Sequence, residues 1–307
     1  MHAIVATPEG PSFTDRREVP PPAPAANEAL LAVRAFAVNR GELTLVQRRG
    51  DGWQPGQDVA GEVVQQAADG TGPQVGERVA GLAEWHGWAE QAVVPSHRLA
   101  VVPAEVDLAV AAALPMAGTT AANVLTLSPA APPLLGARVL VTGASGGVGR
   151  FAVQLAEIAG ATVTAVARAE RAGAVRALGA KEVVHATADA ADAAFDLVLE
   201  SEGGPSLTAA VAKVAQGGTI VVFGNSSREP SQVGFMDFAG RDARIQSYFS
   251  ALHAHDAGRH LEMLVRLVGE RRLDPGVGFE ADWTDLNEGL QALADRAVVG
   301  KVVLRRS

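Results

Sequence analysis

The stretch from Val139 to Gly149 reads Val-Leu-Val-Thr-Gly-Ala-Ser-Gly-Gly-Val-Gly and restricts the fold more than any other part of the chain. Val139 to Thr142 form a short apolar run that enters a glycine-rich turn. Beyond the turn, Val148, Phe151, Ala152, Leu155, Ala156 and Ala159 recur on one helical face. Strand, glycine turn and helix in that order open a dinucleotide-type βαβ unit. The helix N-terminus offers unpaired N–H groups and partial positive charge to a pyrophosphate. A close phosphate approach calls for Gly146, Gly147 and Gly149, flanked here by Ser145 and Val148. Ala144 stands where a strict G-x-G-x-x-G would begin, so only Gly146 and Gly149 match that pattern. The turn alone leaves an ordinary tight βα connection as the lesser alternative.

Context favours the nucleotide reading. An apolar run at Thr162–Ala167 follows the helix. Next come a helix-like stretch, Arg171 to Leu178 stopped by Gly179, and strand-like runs at Glu182–His185, Phe195–Glu200, Thr219–Phe223 and Ile245–Phe249. Strands alternating with helices predict an α/β doubly wound parallel sheet. The stretch Ala186 to Ala194 reads as a short connecting helix or loop.

The N-terminal third has another texture. Short β-rich runs at Ala3–Ala6, Ala29–Ala37, Val59–Gln66, Arg78–Leu82, Ala92–Val94 and Leu99–Val102 are punctuated by Pro and Gly, which predicts a small β-barrel-like domain. Near the other end, Gly258 to Arg272 is amphipathic. Val298 to Leu304 is strand-like and needs a sheet to pair with, so it is expected to rejoin the first domain. The 307 residues suffice for two domains. With 26 basic against 34 acidic residues and no Lys/Arg block, nucleic acid is not the expected partner. Cysteine is absent, which excludes disulfides, thiolate catalysis and Cys-ligated zinc. No apolar run reaches membrane-spanning length, and the start lacks a basic n-region, so cytoplasmic residence without membrane association is expected.

With both regions in view, the chain resembles the medium-chain dehydrogenase/reductases, specifically their zinc-free quinone-oxidoreductase (zeta-crystallin-like) branch. The resemblance rests on Ala37-Val38-Asn39, Pro55 to Gly61, Val75 to Val79, Ala111 to Ala121, the glycine turn and Val299-Gly300-Lys301-Val302-Val303-Leu304. It implies a GroES-like β-rich catalytic domain over 1–116, completed by 252–307, and a Rossmann domain over 117–251. It also implies a homodimer joined through the last Rossmann strand near Ile245–Phe249. Zinc-dependent relatives carry a Cys and a His where this chain has Asn39 and Gln57, and a catalytic zinc needs three protein ligands. His253 and His255 lack a third, so no metal is expected.

The second strand of a dinucleotide unit ends in Asp or Glu when NAD is preferred. Here Ala167 stands at that position and Arg168 follows, with Arg171 three residues on. A guanidinium binds a 2′-phosphate in a charge-assisted pair, so NADPH is the expected cofactor; the alternative is two solvated loop arginines. By resemblance, Asn39 and Asp58 lie near the nicotinamide, and Thr120, Gly224, Asn225 and Lys301 contact the cofactor. Each has a structural alternative: Asn39 as a turn cap, Asp58 as a barrel stabiliser, Lys301 as a solvated strand end. A tyrosine common in the family after the Asn is replaced by Leu43-Thr44-Leu45, so the proton would come from water or Thr44. Tyr248, the only tyrosine, falls on the predicted last strand and is expected at a dimer contact. Trp53, Trp85, His86 and Trp88 either wall a flat substrate or pack the barrel. The implied function is metal-free hydride transfer from NADPH to a quinone or other conjugated carbonyl. The alternatives are an enoyl-thioester reductase acting at carbon and a catalytically idle NADPH-binding protein.

Overall fold

The computed structural model describes residues 1–7, 13–126 and 133–306. They divide into two compact units, Met1–Thr119 with Ala251–Ser307, and Thr120–Ser250.

The second unit is a six-stranded sheet in which every paired neighbour is parallel. In spatial order its strands are Glu182–Val184, Thr162–Val166, Arg138–Val141, Phe195–Glu200, Val214–Val222 and Arg244–Ser247. The first strand in sequence is thus central, and the order reverses beside it, the arrangement in which ligands bind outside the carboxyl ends of the strands. The helices Gly147–Ile158, Ala172–Ala177 and Gly204–Lys213 are the crossovers. Leu140, Val166, Val198, Val211, Val214 and Ile220 form one core cluster, and Val139, Val141, Leu197 and Leu199, which alternate with them along the strands, are buried too, which is why these strands read as continuous apolar runs rather than alternating ones. The strand predicted at Thr219–Phe223 begins at Val214, and the 186–194 stretch is a 3-10 turn over Thr187–Asp189.

The first unit is built on a seven-stranded, mainly antiparallel sheet in the order Val277–Asp282, Lys301–Arg305, Glu28–Val38, Asp58–Gln65, Arg78–Leu82 and Leu99–Val101, with Gln91–Pro95 also on Glu28–Val38. The tail strand lies antiparallel to Glu28–Val38, with Val302 opposite Val38 and Val303 opposite Ala37. That pairing brings Lys301 to the mouth of the sheet next to Asn39. Leu31, Val33, Phe36, Val59, Trp88, Leu286, Leu290 and Val302 form its core. The helices Arg40–Arg48 and Leu286–Ala294, absent from the sequence reading, cover this core.

Candidate functional site

The candidate residues form two sets, one in each unit. In the parallel unit, the strand Arg138–Val141 runs into the glycine turn and the helix Gly147–Ile158. The N-cap of that helix is Gly146, which has no side chain to cap the first turn, so its leading N–H groups are open to an anion. Gly146 is exposed, while Ser145, Gly147 and Val148 are half-buried at the same turn. Gly149 has a different duty. A Cβ there would lie 2.3 Å from the Gly143 carbonyl oxygen and 2.7 Å from Ala144 Cα. Its role is helix-to-turn packing rather than phosphate access, which revises the sequence argument at that position.

The turn is anchored from a neighbouring loop by a residue the sequence reading missed. Glu200 ends the strand Phe195–Glu200, which pairs with Arg138–Val141, and is fully buried. It accepts hydrogen bonds from Thr142 Oγ1 (3.2 Å), Ser206 Oγ (2.8 Å), Glu202 N (3.1 Å) and Gly203 N (2.9 Å). Gly143 N in turn donates to Glu202 Oε1 at 3.0 Å. Four donors hold the buried carboxylate and fix the loop against the glycine turn. No local pattern in the sequence marks Glu200. Gly224 and Asn225 follow the strand Val214–Val222 and pack against that loop: a Cβ on Gly224 would lie 2.7 Å from Ser201 O.

Arg168 lies two residues past the end of the strand Thr162–Val166 and leads a 3-10 turn, Ala169–Arg171, whose Arg171 N donates to Arg168 O at 3.0 Å. One turn thus carries both arginines. Arg168 is more than half exposed, and its only ion-pair partner among the described residues is Glu170, at 3.8 Å. Ala167 is buried where an acidic residue would stand in an NAD-selective unit.

Thr120 and Tyr248 meet in this unit. Tyr248 lies just beyond the strand Arg244–Ser247, is only 8% exposed, and accepts a hydrogen bond from Asn123 Nδ2 at 3.1 Å. Burial pushes its hydroxyl above the ordinary phenol range, against hydrogen bonds from Asn123 and Thr120. The expected dimer contact through Tyr248 is therefore corrected: its ring is interior. Tyr248→Phe strands a buried amide donor and is expected to cost about 1–2 kcal/mol, read by urea unfolding of the full chain; an unchanged midpoint would show the bond is not formed in solution.

In the antiparallel unit, Asn39, the N-cap of the helix Arg40–Arg48, meets the first residues of two strands, Asp58 and Lys301. Lys301 Nζ donates to Asn39 Oδ1 (2.6 Å) and Asp58 Oδ2 (2.9 Å), with Asp58 and Lys301 0% and 2% exposed. Asn39 Nδ2 donates to Asp58 Oδ2 (3.0 Å), and Asp58 Oδ1 accepts from Met116 N (2.6 Å). Lys301 is therefore no solvated strand end, and Asp58 is the counter-ion of a buried cation.

Glu42 is a fourth member, missed by the sequence reading. It sits 1% exposed in the first turn of the helix Arg40–Arg48 and accepts from Asn39 N (2.8 Å), Asn39 Nδ2 (3.3 Å) and Gln57 N (2.9 Å). Burial and the neighbouring Asp58 carboxylate raise its carboxyl to about 8, against the pull of those N–H donors and Lys301. An available signal was the spacing Asn39-x-x-Glu42, half of a capping box. Thr44 lies outside this cluster. Its hydroxyl turns back to Arg40 O at 3.5 Å on the same helix.

The aromatic residues separate. Trp88 is fully buried, stacks on Phe36 at 5.7 Å and donates to Ala37 O at 3.2 Å, so it belongs to the barrel core. Trp53 and Trp85 meet edge to face at 5.2 Å, with the Arg49 guanidinium 5.8 Å from the Trp53 ring. His86 is exposed with φ +66° at the tip of the adjoining loop. His253 and His255 lie on the 3-10 segment Ser250–Asp256. Among the described residues no group of three His, Cys, Asp or Glu side chains is placed to hold a metal, and no helix is long and apolar enough to cross a membrane.

Two family models match parts of the chain. Residues 25–104 match the family model described as alcohol dehydrogenase GroES-like domain, and residues 147–265 match that described as zinc-binding dehydrogenase. A chloroplast envelope quinone oxidoreductase homolog of Arabidopsis thaliana is 39% identical over 57% of each chain. The matches to this and two further chloroplast relatives span 55–57% of the relatives' own lengths. An acryloyl-coenzyme A reductase of Metallosphaera sedula is 27% identical over 94% of this chain and 95% of its own. The mycobacterial protein Rv1454c, solved in complex with NADPH, superposes with a TM-score of 0.87 at 26% identity, covering 99% of this chain and 100% of its own.

Proposed function

The chain belongs to the medium-chain dehydrogenase/reductase superfamily, in its quinone-oxidoreductase-like branch, and from that premise we propose that it is an NADPH-dependent reductase of quinones or other conjugated carbonyl compounds that works without a metal. One observation carries the reading: an uncapped helix N-terminus at Gly146–Gly149, followed at the end of the next strand by Ala167-Arg168 instead of a carboxylate. The seat fits a dinucleotide phosphate. Gly147 and Val148 offer backbone N–H groups to the pyrophosphate, and Arg168, aided by Arg171, offers a guanidinium to the 2′-phosphate. Thr120, Gly224 and Asn225 hold the nicotinamide end. NADPH, when bound, supplies the hydride.

In the other unit, the buried cluster keeps Asn39 in one orientation, since both ends of its amide are engaged, and we assign Asn39 the contact with the nicotinamide. Lys301 and Asp58 position it. The space beside Asn39 Oδ1 is occupied by the Lys301 ammonium, which supports a site without a divalent cation: a second positive charge there would be repelled. Thr44 is bonded to its own helix, so water is the assigned proton source.

The test is loss of NADPH absorbance with purified protein, offered a benzoquinone, an enone and an enoyl thioester in turn, with NADH run beside it. Quinone-dependent turnover preferring NADPH is the expected result. Turnover with the thioester alone would favour reduction at carbon, a reading supported by the acryloyl-coenzyme A reductase similarity. Saturable NADPH binding without consumption would identify an idle binder.

A homodimer belongs to the same proposal. The strand Arg244–Ser247 is at an edge of its sheet, and Phe235, Met236, Ile245 and Phe249 beside it are exposed. An unpaired edge flanked by apolar side chains suits a second copy of the same strand. Phe249→Lys is expected to shift the protein to monomer by light scattering, and an unchanged mass would remove this interface.

A further inference from the structure

Trp53 and Trp85 are half-buried and meet edge to face, with ring centroids 5.2 Å apart and planes inclined by 62°, so they form a corner of two π surfaces. The backbone holds that corner close to Asp58. Trp53 heads the segment that runs through Pro55 and Gly56 into Gln57 and Asp58. Trp85 lies three residues past Leu82, the strand partner of Asp58, a chain reach of at most about 11 Å. The two segments are laced together: Ala83 N donates to Gln57 O (2.8 Å), Gly87 N to Gly56 O (2.9 Å) and Trp88 N to Pro55 O (3.3 Å). Two glycines allow that approach. A Cβ on Gly56, which has φ +112°, would collide with the Trp88 backbone nitrogen, and one on Gly87 would lie 2.6 Å from Val59 Cγ1. Trp53 packs against the barrel core from its rim. Trp85 instead stands on a loop between two exposed residues, Glu84 and His86, and His86 holds φ +66°. Residues with side chains avoid that conformation, and it persists where the surroundings over-determine it, often beside a ligand.

We propose that the Trp53–Trp85 corner is the wall against which the acceptor lies, and that it selects a planar conjugated ring, a quinone, over an aliphatic enoyl thioester. This rests on the reductase reading above and names the acceptor class for it. Indole faces are electron-rich and quinone rings are electron-poor, so offset stacking on one indole with an edge contact to the other is favourable. An alkyl chain offers no matching face. Arg49 adds to the fit. Its guanidinium, 5.8 Å from the Trp53 ring centroid, puts positive charge beside an acceptor that takes up electron density on reduction. Rings already fixed by the laced backbone and by each other lose little freedom on binding, which favours affinity for a rigid ligand.

Binding is measured apart from turnover. 1,4-Naphthoquinone is titrated by equilibrium dialysis against the full chain saturated with NADP+, which has no hydride to give. The chain has no cysteine to add to the quinone. Trp85→Leu keeps the apolar bulk and removes the π face. It is expected to weaken quinone binding roughly three- to tenfold, the size of one aromatic contact. Trp85→Phe should fall between the two, with NADP+ affinity the same in all three proteins. A second readout needs no variant: in the wild-type protein, bound quinone should quench tryptophan emission with the midpoint found by dialysis. Absence of saturable binding, binding without quenching, or equal affinity in wild type and Trp85→Leu overturns the proposal. A parallel loss of NADP+ affinity overturns it too, since Trp85 would then be supporting the fold. Failure of the reductase reading looks different: NADPH is consumed with no acceptor, while dialysis still decides whether the corner binds a planar ring.

Discussion

Lys301→Met should destabilise the antiparallel unit by about 3–5 kcal/mol, because it leaves Asp58 buried with no cation. Asp58 is fully buried; its remaining partners are the Asn39 amide and Met116 N. Two neutral donors replace little of what an ammonium supplies. The loss is thus the cost of an orphaned charge and not the net worth of the pair. Asp58→Asn in the same chain removes that charge, so the double variant should recover much of the stability that the single variant lost. Urea unfolding of the two single variants and the double variant makes the comparison. Additive losses would mean that Asp58 and Lys301 are not coupled. Activity is expected to fall in both variants that lack Lys301, since Asn39 Oδ1 loses its donor there.

Arg168→Ala should weaken NADPH binding by about 1.5–3 kcal/mol, roughly ten- to a hundredfold or slightly more, and leave NADH almost unchanged. Only the 2′-phosphate distinguishes the two cofactors, and a guanidinium is suited to it by charge and by its fork of donors. Glu170 is the competing acceptor at 3.8 Å. As an exposed ion pair it contributes at most about 1 kcal/mol and gives way to a phosphate. Titration of both cofactors by fluorescence, at one fixed ionic strength, checks this; equal losses for NADPH and NADH would take the 2′-phosphate out of Arg168's reach.

The parallel unit was legible along the chain because its determinants are local. The run Arg138–Val141, the glycine turn and the face Phe151, Ala152, Leu155 follow from side-chain sterics and periodicity within a few residues. The helices Arg40–Arg48 and Leu286–Ala294 were not legible, being short and flanked by residues that read equally well as loop. Tyr248 was placed on a strand that ends one residue earlier, which moved its ring from an expected interface to the interior.

The sequence alone therefore determined the α/β architecture, the nucleotide turn, the lack of any cysteine chemistry and the arginine that follows Ala167. These are properties of neighbours in the chain. Only the tertiary structure decided which polar residues are buried together. Lys301 reaches Asp58 across 243 positions and Asn39 across 262, through a tail strand that returns to the first sheet. Its burial, the choice of Asp58 as its counter-ion and the nearness of Glu42 to both arise from that return. Charge in a low-dielectric interior depends on which groups the fold brings within hydrogen-bonding distance, and no local pattern encodes that distance.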